Sequence, residues 1–226
     1  MAAGVLVFDM DGVLVDVSES YRESIQQTVR NFTGREISRA AIQDFKNQGG
    51  WNNDFELSHR IIRDFGVEAD YGEVVDYFQR TFFGTGDSAG LVLREQWVAR
   101  AGLLERLSRR FRLAIFTGRN QAEVKVTLDR FGRDLDFDPI VTVEDVAHPK
   151  PAPDGLLYIA ELAPGEKLWY IGDTVDDARS AKAAGVAFIG ISSPLNPRHR
   201  ELAALLEQEN ALAVLDDINR LETVLP

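Results

Sequence analysis

Val5-Leu6-Val7-Phe8-Asp9-Met10-Asp11-Gly12 is the stretch on which the fold turns. Four apolar residues run without a break into two carboxylates and a glycine. A short, continuous apolar run suits a strand buried on both faces of a parallel sheet. A strand with one face in water alternates instead. Similar runs recur at 113–116 (LAIF), followed by Thr117-Gly118, and at 168–171 (LWYI), ending in Gly172-Asp173. Weaker ones stand at 140–143 and 186–191. Helical stripes separate them: Leu103, Leu104 and Leu107; Val124, Leu128 and Phe131; Leu156, Leu157, Ile159 and Ala160. Residues 177–184 are alanine-rich, and Gly185 supplies a stop. Strand then helix, repeated, predicts an α/β fold with a doubly wound, parallel sheet.

One region breaks that rhythm. Residues 18–32, 38–45, 53–65 and 71–83 read as helix after helix, with no buried strand among them. The expected organisation is an α/β core at 1–16 and 91–226, with an all-helical insert at 17–90.

Bulk properties narrow the function classes. The chain has 226 residues, 45% hydrophobic and 27% charged, an ordinary globular balance. No apolar run reaches the ~18 residues of a membrane span. The start, Met1-Ala2-Ala3-Gly4, lacks the positively charged region and cleavage site of a secretory signal. There is no cysteine, which excludes disulfides and thiolate metal sites and fits a reducing compartment. A cytoplasmic protein with no membrane partner is the expectation. The net charge of -11 repels polyanions, so nucleic acid is not an expected partner.

The strand ends carry the chemistry. In open α/β sheets ligands bind at the carboxyl ends of the strands. Asp9, Asp11, Thr117, Lys150, Asp173 and Asp177 all stand at or just beyond such ends, so one crevice can gather them. Two carboxylates as close as Asp9 and Asp11 repel by roughly 4 kcal/mol at an effective dielectric of ~20. A hard divalent cation relieves that repulsion, and oxygen-only ligands favour Mg²⁺. Phosphoryl transfer needs a nucleophile, a cation and fixed donors around the phosphoryl oxygens. A carboxylate can be the nucleophile, and a second carboxyl can move the protons. Thr117 offers a hydroxyl, Gly118 an uncrowded N–H, and Lys150 a compact positive charge.

Taken in order, Asp9-x-Asp11-Gly12, Thr117-Gly118, Lys150-Pro151 and Gly172-Asp173-x-x-x-Asp177 resemble the four motifs of the haloacid dehalogenase superfamily, and the helical insert resembles that of its subfamily with a four-helix cap. The resemblance spans essentially the whole chain. It implies a Rossmann-like core with an inserted cap and a Mg²⁺-dependent phosphatase acting on a small phosphorylated metabolite through an aspartyl-phosphate. It also implies roles. Asp9 would be the nucleophile and a metal ligand. Asp11 would be the general acid/base and bind metal through its backbone carbonyl. Thr117, Gly118 and Lys150 would hold the phosphoryl group. Asp173 would ligate the metal, and Asp177 would orient metal waters or Lys150, with Asp176 as a rival for that place. Other activities exist in the superfamily. Asp11 argues against the metal-free dehalogenases. Phosphonate cleavage would need a cap lysine, for which Lys46 is the single candidate in the insert. A sugar phosphomutase is a further alternative, and a non-catalytic phospho-ligand sensor is the reading from another class.

Substrate choice is expected in the insert. Residues 46–54, Lys-Asn-Gln-Gly-Gly-Trp-Asn-Asn-Asp, put a cation, amides, an aromatic and two glycines at an expected break between helices. Amides there can bond sugar-like hydroxyls or an imidazole. The stretch resembles an uncharacterised branch of the superfamily that is sometimes linked with histidine biosynthesis. Lys46, Trp51 and Asn52, with Arg22 from the first helix of the insert, are the candidate substrate contacts. The plainer alternative is an interhelical loop with Trp51 in the insert's core and Asn53 as a helix cap.

Overall fold

The computed structural model describes residues 3–86 and 88–226. Met1 and Ala2, which enter the reading of the N-terminus, lie outside the described residues. The chain divides into two compact units, Met1–Val15 with Trp97–Pro226, and Asp16–Gln96. Among the described residues, no helix is long and apolar enough to cross a membrane.

The larger unit is built on a six-stranded sheet. Its strands are β1 (Val5–Phe8), β2 (Arg112–Phe116), β3 (Phe137–Val141), β4 (Leu168–Gly172), β5 (Ala187–Ile191) and β6 (Ala213–Leu215). Their spatial order is β6-β5-β4-β1-β2-β3, and every neighbouring pair is parallel. The chain therefore runs from β1 out to β3 on one side, then crosses to β4 and runs out to β6. The order reverses beside β1, which is where such sheets bind ligands. All four β1 residues are fully buried, as a central strand requires.

Helices cover the sheet. One face, with Val5, Val7, Phe116, Tyr170 and Phe188, packs against Leu156, Ile159, Ala178, Ala181, Leu202 and Leu206. These come from α7 (Asp154–Leu162), α8 (Val175–Ala184) and α9 (His199–Gln208), which follow α5 (Leu103–Ser108) and α6 (Gln121–Phe131) in the chain. Phe8 meets Phe137 edge-on at 6.4 Å, and Phe111 meets Trp169 at 5.6 Å. Leu157, expected in the apolar stripe of α7, is 45% exposed. The stripe is carried by Leu156 and Ile159, with Ala160 partly buried against the same core, and Leu157 points away from it.

Two strand expectations shift. The run at 140–143 is part of a strand that starts at Phe137 and ends at Val141. Its centre holds Asp138 and Pro139, which dilute the apolar signal. Proline is tolerated because β3 lies at the sheet edge. β6, three residues long and also at an edge, has no counterpart in the sequence reading.

The smaller unit is helical, with α1 (Tyr21–Thr33), α2 (Arg39–Gln48), α3 (Asp54–Asp64) and α4 (Tyr71–Phe83). The side chains of Ser38, Asn53 and Asp70 cap α2, α3 and α4 by accepting backbone N–H bonds. Tyr21, Phe78 and Phe82 form an aromatic centre, with Tyr21 and Phe82 at 4.4 Å and Phe55 edge-on to Phe78 at 5.0 Å. A two-residue antiparallel pair, Gly84–Thr85 with Ser88–Ala89, follows α4. Lys46, Asn47 and Gln48 are the last turn of α2 rather than a break, and the break itself begins at Gly49.

Candidate active site

The ends of three central strands stand level. Phe8 is beside Ile115 on one side and Ile171 on the other. The Asp9 N–H donates to the Ile171 carbonyl at 2.8 Å, and the Thr117 N–H donates to the Val141 carbonyl at 3.0 Å. Parallel register thus delivers Asp9, Thr117 and Asp173 to one edge of the sheet although they are far apart in sequence.

Beyond Asp9 the chain turns at once. Gly12 has φ +71° and its N–H donates to the Val15 carbonyl at 2.8 Å. A Cβ at Gly12 would sit 1.9 Å from Asp173 Oδ2. Glycine is therefore required on two grounds, the left-handed backbone and the room taken by a carboxylate. Gly172 plays a similar part on β4, where a Cβ would come within 2.5 Å of the Asp177 Cβ.

Asp177 is held from all sides. It is the third residue of α8 and completes a capping box with Thr174. Its Oδ2 accepts from the Thr174 hydroxyl at 2.7 Å, the Thr174 N–H at 3.0 Å and the Asp173 N–H at 3.2 Å. Its Oδ1 accepts from the Tyr170 hydroxyl at 2.7 Å and from Lys150 Nζ at 2.8 Å. Lys150 Nζ also donates to Asp9 Oδ1 at 2.9 Å. The lysine is almost wholly buried, with its ammonium 4.9 Å from the centre of the Phe116 ring and 5.3 Å from that of Tyr170. Ser180 Oγ donates to the Ala152 carbonyl at 2.8 Å, which ties the lysine's loop to α8.

Burial and crowding set the charges. Burial pushes the Asp9 carboxyl up to about 7, Asp177 and Asp11 add to the rise, and Lys150 opposes it. Burial pulls Lys150 down, but Asp177 and Asp9 outweigh that and leave it above its ordinary value. Burial pushes Asp177 up, yet Lys150 and the bonds from Thr174 and Tyr170 hold it below the usual carboxylate range. Burial and the adjacent Asp177 raise Tyr170 well above its ordinary value, so it stays a donor. Asp9, Asp173 and Asp177 each bring an oxygen to within 4.8 Å of the others. Lys150 pairs with two of these three carboxylates, Asp9 and Asp177. An all-oxygen donor set fits a hard divalent cation, and the space beside Gly12 that admits Asp173 completes the cradle.

The remaining core candidates fall around this cluster. Thr117 is buried, and its hydroxyl accepts the Arg119 N–H at 3.2 Å. Gly118 is exposed. The Asp11 carboxylate is not one of the three clustered acids and pairs with Arg119 at 2.6 Å. Asp176 is buried but is not one of the clustered acids, and Asp177 takes that place.

The helical candidates are arranged among themselves. Lys46 Nζ lies 2.5 Å from Asp54 Oδ1, and Arg22 is 3.8 Å from Asp54 Oδ2. Gln43 donates to Asn47 at 2.9 Å. Trp51 is edge-on to Phe45 at 6.0 Å and lies under the Arg60 guanidinium at 5.7 Å. Asn52 is half-buried, while Asn53 is occupied in capping α3 at 2.9 Å.

Two participants escaped the sequence reading. Tyr170 looked like one more apolar residue of a strand, although a buried tyrosine hydroxyl needs a partner. Arg119 directly follows Thr117-Gly118, and a charge at the end of a buried strand was the available signal.

Comparison with known proteins gives the family and the fold. The haloacid dehalogenase-like hydrolase family matches residues 4–185. A protein of Phytophthora nicotianae named imidazoleglycerol-phosphate dehydratase is 32% identical over 93% of this chain, and the chain spans 49% of that protein. A phosphoglycolate phosphatase of Pseudomonas syringae pv. syringae is 25% identical over 96% of this chain and 78% of its own length. The crystal structure of a haloacid dehalogenase-like protein of Agrobacterium tumefaciens shares the fold, with a TM-score of 0.75, 20% identity and coverage of 98% of this chain and 96% of that one. The chain belongs to the haloacid dehalogenase-like hydrolases.

Proposed function

We propose that the chain is a Mg²⁺-dependent phosphatase that cleaves a small phosphorylated metabolite through an aspartyl-phosphate on Asp9. One observation carries the reading: Asp9 leaves β1 buried, held by Lys150, with Asp173 and Asp177 beside it. Mg²⁺ would be held by Asp9, Asp173 and the Asp11 carbonyl, with Asp177 supporting; when bound it would neutralise charge on the phosphoryl oxygens.

The chain's own groups do the rest. An Asp9 oxygen attacks phosphorus, and the bond from phosphorus to the substrate oxygen breaks. Asp11 delivers a proton to that leaving oxygen. Asp11 then takes a proton from water, the water oxygen attacks phosphorus, and Asp9 departs as a carboxylate. The Thr117 hydroxyl, the Gly118 N–H and the Lys150 ammonium donate to the phosphoryl oxygens.

The helical unit, 17–90, is proposed as the cap that reads the rest of the substrate. The names of the chain's relatives suggest which compounds to try first: phosphoglycolate and the phosphate of an imidazole-bearing polyol. The test of mechanism is a rapid acid quench of wild type and Asp9→Asn. Labelled phosphate should be trapped on the wild-type protein only, and the variant should lose turnover by roughly 10³-fold or more. Full activity in a folded Asp9→Asn protein, or isomerisation of a sugar phosphate with little phosphate released, overturns the reading.

A further inference from the structure

Arg119 has no role in the chemistry derived so far, yet it is among the largest fully buried side chains of the molecule. A guanidinium is rarely taken out of water unless its donors are matched by acceptors. Here they are. Nε donates to Asp11 Oδ1 at 2.7 Å, and Nη2 lies 2.6 Å from the same oxygen. Nη1 donates to the Thr127 hydroxyl at 2.6 Å. The backbone is fixed too: the Arg119 N–H donates to Thr117 Oγ1 at 3.2 Å, and its carbonyl accepts from Val143 at 3.1 Å.

The fork is asymmetric in a useful way. Thr127 lies in the middle of α6 (Gln121–Phe131), whose start is locked by an Asn120–Glu123 capping box. One end of the guanidinium is therefore tied to a rigid helix. The other end holds a residue on the turn after β1. Both contacts to Asp11 fall on Oδ1, and the Asp11 side chain stays 30% exposed while that of Arg119 is 1% exposed.

We propose that Arg119 is the positioning residue for Asp11: it fixes the carboxylate through Oδ1 and leaves Oδ2 as the oxygen that exchanges the proton. The inference rests on the assignment of Asp11 as the acid that protonates the leaving group. In this proposal Arg119 acts through Asp11 and not on the phosphate or the leaving group. Its effect is geometric, since a proton donor must stay within hydrogen-bond reach of the leaving oxygen.

The experiment compares kcat/KM for a series of phosphate esters, from p-nitrophenyl phosphate through phenyl phosphate to an alkyl phosphate, in the Mg²⁺-loaded full chain. This constant reports events up to transfer onto Asp9, so it isolates protonation of the leaving oxygen. p-Nitrophenolate departs without a proton, and an alkoxide does not. Asp11→Asn is the reference and should lose most with the alkyl ester. Arg119→Ala should follow the same trend, from little loss with p-nitrophenyl phosphate to roughly 10- to 150-fold with the alkyl ester. Arg119→Lys should recover only part, because one ammonium cannot make the fork. Thr127→Val, close in shape to the original, should repeat the trend more weakly and guards against a poorly folded Arg119→Ala. If Asp11→Asn is steep and the Arg119 and Thr127 variants are flat or lose equally on every ester, the proposal is overturned while the role of Asp11 stands. If Asp11→Asn is itself flat, the acid assignment falls and this proposal falls with it.

Discussion

The chain buries two lysines in ion pairs, one in each unit, and they differ in how they are held. Lys150 reaches Asp9 across 141 positions of sequence and Asp177 across 27, and its side chain is 1% exposed. Lys46 pairs with Asp54 eight positions away, with side-chain exposures of 7% and 9%. The first pair exists only because a parallel sheet brings strand ends together, and it lies against rings and carboxylates that outnumber it. The second bridges the end of one helix and the start of the next. On the proposed reading, the lysine held by long-range topology is the one that takes part in the chemistry. A lysine held locally is a place where a ligand's charge can compete with one partner.

Lys150→Met tests the first half of that contrast and carries the largest expected effect. Turnover on every substrate should fall by roughly 10³-fold or more, since a donor to the phosphoryl oxygens and the anchor of Asp9 go together. Leaving Asp9 and Asp177 without their cation should also cost about 3–5 kcal/mol of stability, read by denaturant unfolding without metal. A variant with full activity would remove Lys150 from the site.

The next effect is a pH dependence. The raised Asp9 carboxyl binds a proton in the folded state up to about 7 and in the unfolded state only up to 3.8. Between those values the folded form holds more protons, so this group's contribution is fully present below the lower value and is lost as pH rises through 7. The difference, 7 − 3.8, sets an upper limit of about 4 kcal/mol. Metal-free wild type should lose stability relative to Asp9→Asn between about pH 4 and 7, and saturating Mg²⁺ should flatten the difference by holding Asp9 ionised. Curves that run parallel with and without Mg²⁺ would contradict the cation assignment.

Smallest is the effect at the second lysine. Lys46→Ala should weaken kcat/KM for the true metabolite by roughly 10- to 150-fold, the worth of a hydrogen bond to a charged group. Acetyl phosphate is too short to use that contact and should be nearly unaffected. Asn52→Ala should act in the same direction. Equal losses on both substrates would show that the Lys46–Asp54 pair supports the helices instead.

Legibility in the sequence follows the same division. Strands buried on both faces announced themselves as apolar runs, and the acidic or glycine residues that end them fell where parallel register puts them. Edge strands did not, because β3 carries Asp138 and Pro139 and β6 is only three residues long. The order of Asp9, Thr117, Lys150 and Asp173 could be read, but the partners of those residues could not. That Asp11 faces Arg119, and that Tyr170 props Asp177, depends on rotamers and on packing between α6, α8 and the sheet. Around Lys46 the composition was informative and the boundary was not, since three more residues, Lys46, Asn47 and Gln48, extend α2 beyond 45.

Gly12 and Gly172 bear on how such a chain can vary over generations. Neither carries a reactive atom, yet a methyl group at Gly12 would meet the Asp173 carboxylate at 1.9 Å and one at Gly172 would meet Asp177 at 2.5 Å. Those two volumes can be emptied only by moving the carboxylates that fill them. In any library of random variants, these chemically silent positions should tolerate as few replacements as Asp9 itself. The freedom to drift lies instead in helices whose residues need only stay apolar on one face.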